Sequence, residues 1–374
     1  MRIRKSKPDY SGLCFIIAGG GTGGHLFPGI AIARELEGRF EDIRILFVVG
    51  HKRMEKEILS SYGYPVSSIQ VEGLKGRGWK KGLAGVARLP KALFQSMAII
   101  KESSPALVLG VGGYSAGPMC LAAKLMGIPT AIHEQNSFPG LTNRMLSRFV
   151  DRVLISFEES REHLSGDKII LTGNPVRQEL FFTHGVRPGG REGFTLLVVG
   201  GSQGARAINE VFAEALEHLR AGGRDPEVIH QTGEMDYRRA VEDYRSRGLK
   251  GELVPFIKDM AGAYHRADMV IGRAGASTLS ELAALAKPSI LIPYPHAANR
   301  HQEANARSLV QVGGAVMILQ GDMSGEGLAQ VIKRYMDDRS ALHKMGERAR
   351  SVGRRDAAKT IVDQLVEISA SSFN

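Results

Sequence analysis

Cysteine is almost missing from this chain: Cys14 and Cys120 are the only two in 374 residues, in separate apolar stretches. They offer neither a disulfide framework nor a metal-ligand spacing, which fits a reducing compartment. Acidic residues are outnumbered, 39 against 49 Lys and Arg, and the formal charge of +10 favours an anionic partner: a nucleic acid, a nucleotide or an acidic membrane surface. Long apolar runs are absent as well. None approaches the ~20 residues needed to span a bilayer, so membrane contact is expected to be peripheral. The basic start, Met1 to Tyr10, leads only into Leu13 to Ala18 and then glycines, too short an apolar stretch for a signal peptide. What remains is an ordinary globular composition, 43% hydrophobic and 24% charged, long enough for two domains.

Glycine, by contrast, is plentiful and placed. Leu13 to Ala18 is a short apolar run, as in a strand buried on both faces, and it ends in Gly19-Gly20-Gly21-Thr22-Gly23-Gly24-His25. Beyond the loop Pro28 suits the first turn of a helix, with Ile30, Ala33 and Leu36 at helical spacing. A strand turning through glycines into a helix exposes backbone N–H groups and a positive dipole end, a place for an anionic or hydroxyl-rich ligand. Gly19, Gly21 and Gly24 also satisfy a dinucleotide fingerprint. The next strand, Ile43 to Val49, runs into Gly50-His51-Lys52-Arg53, however, without the carboxylate that would hold a ribose. The basic pair leaves an NADP-dependent oxidoreductase as a rival reading.

Along the chain, a helical stretch is expected from Met54 to Tyr62. From Lys75 to Lys91 the basic residues Lys75, Arg77, Lys80, Lys81, Arg88 and Lys91 occur with no acidic one, around Trp79. An apolar helix follows, with Pro90 expected as a kink. This combination reads either as an interfacial anchor for anionic lipid or as a solvated loop before a core helix. Strands are then expected at Ala106 to Gly110, Pro129 to His133, Val150 to Ser156 and Ile169 to Thr172. Their carboxyl ends carry Gly112-Gly113-Tyr114, Glu134-Gln135-Asn136 and Gly173-Asn174-Pro175-Val176-Arg177, on the edge where open parallel sheets bind ligands.

After a Gly/Pro/Arg-rich linker at Thr183 to Gly193 the pattern restarts: strand Thr195 to Val199, glycine turn Gly200-Gly201-Ser202-Gln203-Gly204, helix Ala205 to Leu219. Further strands are expected at Glu227 to Gln231, Leu253 to Phe256, Asp268 to Ile271 and Ser289 to Pro293. Between the last two lies Gly272-Arg273-Ala274-Gly275-Ala276-Ser277-Thr278-Leu279-Ser280-Glu281. Thr278 and Glu281 have the spacing of a capping box. The alternative is a helix N-terminus facing a diphosphate, with Glu281 accepting from ribose hydroxyls. His301 and Gln302 at the next helix start read as caps or as contacts to sugar hydroxyls. A last helix near Ala357 to Ile368 has an apolar face suited to packing on the first domain. A non-enzymatic nucleic-acid binder, the reading from charge alone, lacks stacking aromatics and a recognisable reading module.

Taken together, these seven motifs, including His133-Glu134-Gln135-Asn136, Arg273-Ala274-Gly275-Ala276 and His301-Gln302, resemble the MurG family of glycosyltransferase family 28 over nearly the whole chain. The resemblance implies an α/β GT-B fold: two Rossmann-like domains whose parallel sheets face an interdomain cleft. Residues 1–182 would form an acceptor and membrane domain, joined by a returning helix at 356–372, and 183–355 a UDP-sugar domain. The activity implied is inverting transfer of N-acetylglucosamine from UDP-N-acetylglucosamine to the 4-hydroxyl of the muramyl sugar in lipid I, giving lipid II for peptidoglycan. A sister transferase with another sugar or acceptor is the alternative.

By motif position, Ile257 would bind uracil through its backbone and Glu281 the ribose. Ser202, Arg177 and the helix start formed by Ala276, Ser277, Thr278, Leu279 and Ser280 would hold the diphosphate. Gln302 would read the sugar, with Thr22, Gly23, Gly24 and Asn136 closing on it. Tyr114 and Asn143 would bind the acceptor. His25, whose ordinary pKa of about 6.5 suits a general base, and Glu134 are the two candidates for the catalytic proton acceptor. No Asp-x-Asp occurs, so neither a metal nor another cofactor is expected. Expected partners are UDP-N-acetylglucosamine, lipid I, an anionic membrane surface met through Lys75, Arg77, Trp79, Lys80 and Lys81, and other cell-wall synthesis proteins, but no nucleic acid. The expected location is the cytoplasmic face of the cell membrane.

Overall fold

A computed structural model describes residues 12–20, 23–51, 53–71, 89–182, 193–201 and 204–370. Chain contacts divide it into two compact units, Met1–Pro175 with Arg355–Asn374, and Val176–Arg354.

In the first unit the strands are β1 (Cys14–Ala18), β2 (Arg44–Val49), β3 (Val66–Ser68), β4 (Pro105–Gly110), β5 (Thr130–Glu134), β6 (Arg152–Ile155) and β7 (Ile169–Leu171). They form one sheet in the order β3-β2-β1-β4-β5-β6-β7, every pairing parallel. The helices are α1 (Gly23–Arg39), α2 (Arg53–Ser61), α3 (Leu89–Ser103), α4 (Ala116–Leu125) and α5 (Leu141–Leu146). β1 is apolar throughout because both of its faces are covered. Phe15 and Ile17 enter the core shared with α1, and Ile16 and Ala18 the core shared with α3 and α4. Pairing continues from β1 to β4, so the strand order reverses between them, and such a switch point opens a crevice at the carboxyl ends.

The second unit repeats the plan with β8 (Thr195–Val199), β9 (Glu227–Gln231), β10 (Glu252–Val254), β11 (Met269–Gly272), β12 (Ser289–Leu291) and β13 (Val316–Met317), in the order β10-β9-β8-β11-β12-β13 and again all parallel. Its helices are α6 (Arg206–Ala221), α7 (Tyr237–Ser246), α8 (Met260–Arg266), α9 (Ala276–Ala284), α10 (His301–Gln311), α11 (Gly325–Asp337) and α12 (Arg339–Val352). A last helix, α13 (Ala357–Ala370), lies in the first unit, where Ile361, Val362, Leu365 and Ile368 join the core beside α1. Arg39 on α1 ties to Asp363, and Arg152 to Glu367.

Several local expectations need correction. α1 begins at Gly23, so Pro28 sits inside the helix rather than in its first turn, and Gly23, Gly24 and His25 form that turn. Pro90 is the second residue of α3 and starts the helix instead of kinking it, because its missing N–H has no partner to lose there. The division between the units falls after Pro175 and not at 182, because the single turn Gln178–Phe181 packs on α8 of the second unit. The linker expected at Thr183 to Gly193 lies almost wholly outside the described residues, as does the basic segment with Lys75, Arg77, Trp79, Lys80 and Lys81.

Candidate functional site

The first unit gathers its polar residues at the carboxyl ends of β1, β4 and β5. His25 Nδ1 lies 2.8 Å from the Gly20 carbonyl oxygen. A carbonyl can only accept, so Nδ1 carries a hydrogen, and in the neutral ring the lone pair is on Nε2. The ring lies against the loop after β4: a Cβ on Gly112 would stand 3.0 Å from both Nε2 and Cδ2 of His25. Gly113 comes closer still to the first loop. With φ +83°, a Cβ there would lie 2.2 Å from the Gly20 oxygen, so only glycine fits. Tyr114 follows, largely exposed. Gly23 and Gly24 stand beside His25 in the first turn of α1, and Thr22 lies outside the described residues.

Glu134, the other base candidate, is buried and fully engaged. Its Oε1 accepts from the Asn136 backbone at 2.9 Å and the Asn136 side chain at 3.2 Å. Its Oε2 accepts from the Gly140 backbone at 3.1 Å and from Asn143 Nδ2 at 2.8 Å. Four donors fill a carboxylate's acceptor sites, so Glu134 shapes the 136–143 loop and has no lone pair left for a substrate proton. Asn143 is itself buried, its amide turned onto Glu134 and the His133 carbonyl. Beneath lies His133, whose pKa burial pushes down to about 4, with only partial compensation from the Gly173 carbonyl. Gln135 Nε2 donates to the Val111 carbonyl and lies 3.0 Å from His133 Nδ1, joining the ends of β4 and β5.

In the second unit, α9 starts at Ala276 after an extended Gly275 that provides no side-chain cap. Thr278 is therefore a helical residue, and the capping box read from the sequence does not form. Ser277 and Thr278 lie in the first turn, where the N–H groups lack helical acceptors, Leu279 turns into the core, and Ser280 donates back to the Ala276 carbonyl. Glu281 instead accepts from Arg177 Nη2 at 3.1 Å on Oε1 and from the Tyr264 hydroxyl at 3.0 Å on Oε2. Burial raises the Glu281 pKa, and Arg177 and Tyr264 pull it partly back. For Arg177, burial opposes the charge but Glu281 outweighs it, so its pKa ends above the ordinary value. Tyr264, fully enclosed and facing a carboxylate, is held well above 10 and remains a donor. Arg177, expected at a diphosphate, thus commits one terminal nitrogen to the ribose candidate.

Across the sheet, Gln231 ends β9 buried, its Nε2 donating to the Gly201 carbonyl at 3.0 Å and its Oε1 accepting the Ile257 N–H at 3.0 Å. The Ile257 N–H is therefore taken, which leaves its carbonyl as the backbone group for a base. Ser202 lies outside the described residues. Gln302 Oε1 accepts the Tyr294 N–H at 2.9 Å, which orients its amide so that the NH2 end is the one left for a ligand. His301 turns back onto the Ala298 carbonyl as a cap. Arg273 holds the Ile292 and Pro293 carbonyls and Gln320, bracing the loop before α10.

The sequence reading missed Tyr264 and Gln231. Gln231 was findable as a polar residue at the carboxyl end of a buried strand. Tyr264 carried no local signal, since its partner is distant in sequence. Arg53, half of the basic pair behind the NADP reading, is exposed and paired with Glu57.

Residues 15–155 match the glycosyltransferase family 28 N-terminal domain, and residues 195–361 its C-terminal domain. A protein of Syntrophus aciditrophicus, named UDP-N-acetylglucosamine--N-acetylmuramyl-(pentapeptide) pyrophosphoryl-undecaprenol N-acetylglucosamine transferase, is 47% identical over 93% of this chain and 96% of its own. A protein of the same name from Geobacter sulfurreducens is 45% identical over 94% and 97%. The crystal structure of Acinetobacter baumannii MurG is similar with a TM-score of 0.78 and 31% identity, covering 95% of this chain and 99% of that one. Two parallel α/β sheets of this order are the two halves of a GT-B fold. With both domains matched in order and relatives aligned end to end, this chain belongs to glycosyltransferase family 28.

Proposed function

We propose that this chain transfers N-acetylglucosamine from UDP-N-acetylglucosamine to the 4-hydroxyl of the N-acetylmuramyl sugar in undecaprenyl-pyrophosphoryl-N-acetylmuramyl-pentapeptide, forming lipid II for peptidoglycan. Family membership and the names of its relatives support the substrates. His25 carries the mechanism, because its Nδ1–H is fixed on the Gly20 carbonyl and its Nε2 lone pair is kept for a proton. The acceptor hydroxyl gives that proton to Nε2 as its oxygen attacks the anomeric carbon, and the bond to the β-phosphate oxygen breaks with inversion. Glu134, saturated by its four donors, builds the loop that carries Asn136 and Asn143.

In this reading the second unit holds the donor: the Ile257 carbonyl faces uracil, Glu281 the ribose, and Gln302 the sugar. The uncapped start of α9, from Ala276 to Ser280, takes the diphosphate with Ser202, and Arg177 adds positive charge nearby. Charge developing on the departing UDP is stabilised by those N–H groups without a metal. A peripheral position on the cytoplasmic face of the cell membrane follows from the lipid acceptor. Supporting it, α3, α4, α5 and the turn after α5 expose the apolar Phe94, Leu121, Leu125, Met145 and Phe149, and the same segments expose Lys91, Arg144 and Arg148. Among the described residues no helix is long and apolar enough to cross a membrane.

The test is sugar transfer to a short-chain lipid I analogue in excess EDTA, for wild type and His25→Ala, with UDP affinity measured alongside. Metal-independent transfer that falls by about 10²-fold or more in the variant, at unchanged UDP affinity, is expected. Transfer that survives the substitution would remove His25 as base, and no transfer despite UDP binding would point to a sister transferase with another acceptor.

A further inference from the structure

The Glu281 carboxylate has a partner on each oxygen, and both partners are built into the second unit. Tyr264 is among the largest fully buried side chains, on α8, which opens at Met260, three residues beyond Ile257. Asp259 caps α8 by accepting the Gly262 N–H at 2.9 Å. The helix is thereby held to the segment that follows Ile257, and the turn continuing from Arg177 packs on it. An ionised carboxylate has about four acceptor sites, two per oxygen. Tyr264 fills one on Oε2 and Arg177 one on Oε1, so one remains on each.

We propose that Tyr264 is a positioning residue for the donor's ribose: with Arg177 it orients Glu281 so that each oxygen presents one acceptor site, a pattern that reads the two hydroxyls of a cis-diol. The inference rests on the assignment of Glu281 to the ribose, and it makes Tyr264 a determinant of ribo- over deoxyribonucleotide binding. α8 also joins the two recognition events, since the same short helix leaves the base segment and ends on the ribose carboxylate. A purely packing role for Tyr264 would stabilise the unit without affecting which sugar is bound.

Tyr264→Phe removes the hydroxyl and keeps the ring, and calorimetric affinities for UDP and 2′-deoxy-UDP test the proposal. Wild type is expected to prefer UDP about thirtyfold, the worth of one hydrogen bond to a charged group. In the variant the preference should shrink to about threefold, because a carboxylate free to turn no longer meets both hydroxyls. The acid limb of UDP affinity should also move to higher pH, since Glu281 loses a donor that favours its ionised form. A ratio of affinities within one preparation does not depend on the fraction folded, so partial misfolding cannot imitate the result. Full discrimination retained by Tyr264→Phe would overturn the role of Tyr264 alone. Wild type that binds UDP and 2′-deoxy-UDP equally would overturn the ribose assignment itself.

Discussion

Replacing Gly113 with alanine places a methyl carbon 2.2 Å from the Gly20 carbonyl oxygen, and 2.9 Å and 3.0 Å from the nitrogen and carbon of the same residue. An ordinary contact needs about 1 Å more, and the obstacle is backbone, so one of the two loops must move by that amount. The φ of +83° adds about 1–2 kcal/mol for a residue with a Cβ. Movement of the Gly20 carbonyl breaks its 2.8 Å bond to His25 Nδ1, which sets the tautomer and aim of the ring. A base displaced by about 1 Å costs on the order of 10²-fold in rate. The expected outcome is therefore a kcat for sugar transfer about 10²-fold below wild type, with UDP affinity within about twofold, because the residues proposed to hold UDP itself belong to the other unit. Gly38→Ala serves as the control: nothing lies within 4 Å of a Cβ there, and a helical glycine replaced by alanine gains about 0.5–1 kcal/mol. Near-normal turnover in Gly113→Ala would refute the link from this glycine through Gly20 to His25.

Three other outcomes can be checked. Ala286 holds φ 54° just past α9, where Lys287 N–H reaches the Leu282 carbonyl in a left-handed helix end; Ala286→Gly should raise stability by about 1 kcal/mol in urea melts. His133 and His230 have pKa values lowered by burial to about 4 and about 3, so between the ordinary 6.5 and those values the unfolded chain binds protons that the folded one does not. Their contribution is intact above pH 6.5 and lost as pH falls, about 2 kcal/mol for each histidine by pH 5, and unfolding midpoints that do not change between pH 7.5 and 5 would contradict it. Combined replacement of Trp79, Lys80 and Lys81 should lower binding to anionic liposomes and spare UDP binding; equal loss of both would count against the membrane role.

The fold was legible wherever burial on both faces makes strands apolar: β8 and β9 occupy the stretches expected of them, Thr195–Val199 and Glu227–Gln231. β3 and β13 escaped notice, being edge strands of three and two residues, too short to show a period. In the candidate site, motifs marked the chain positions, but the contacts of the folded chain show what each side chain holds. Glu134 looks like a base from its place at a strand end, and only Gly140 and Asn143 reveal it as filled. The spacing of Thr278 and Glu281 mimics a capping box, and the competing principle was a tertiary one: Arg177 and Tyr264 offer a buried carboxylate more than a helix end can.

The return of α13 gives synthesis on the ribosome an unequal order. All strands of the first unit have emerged by Leu171, yet Ile361, Val362, Leu365 and Ile368 belong to the same core beside α1. At ~5–20 residues per second, the intervening stretch takes roughly 10 to 40 seconds to be made. Through that interval the second unit has its own complete core to close, while the unit that carries His25 waits with an apolar seam uncovered. The core beneath the proposed base thus closes only once α13 has been made.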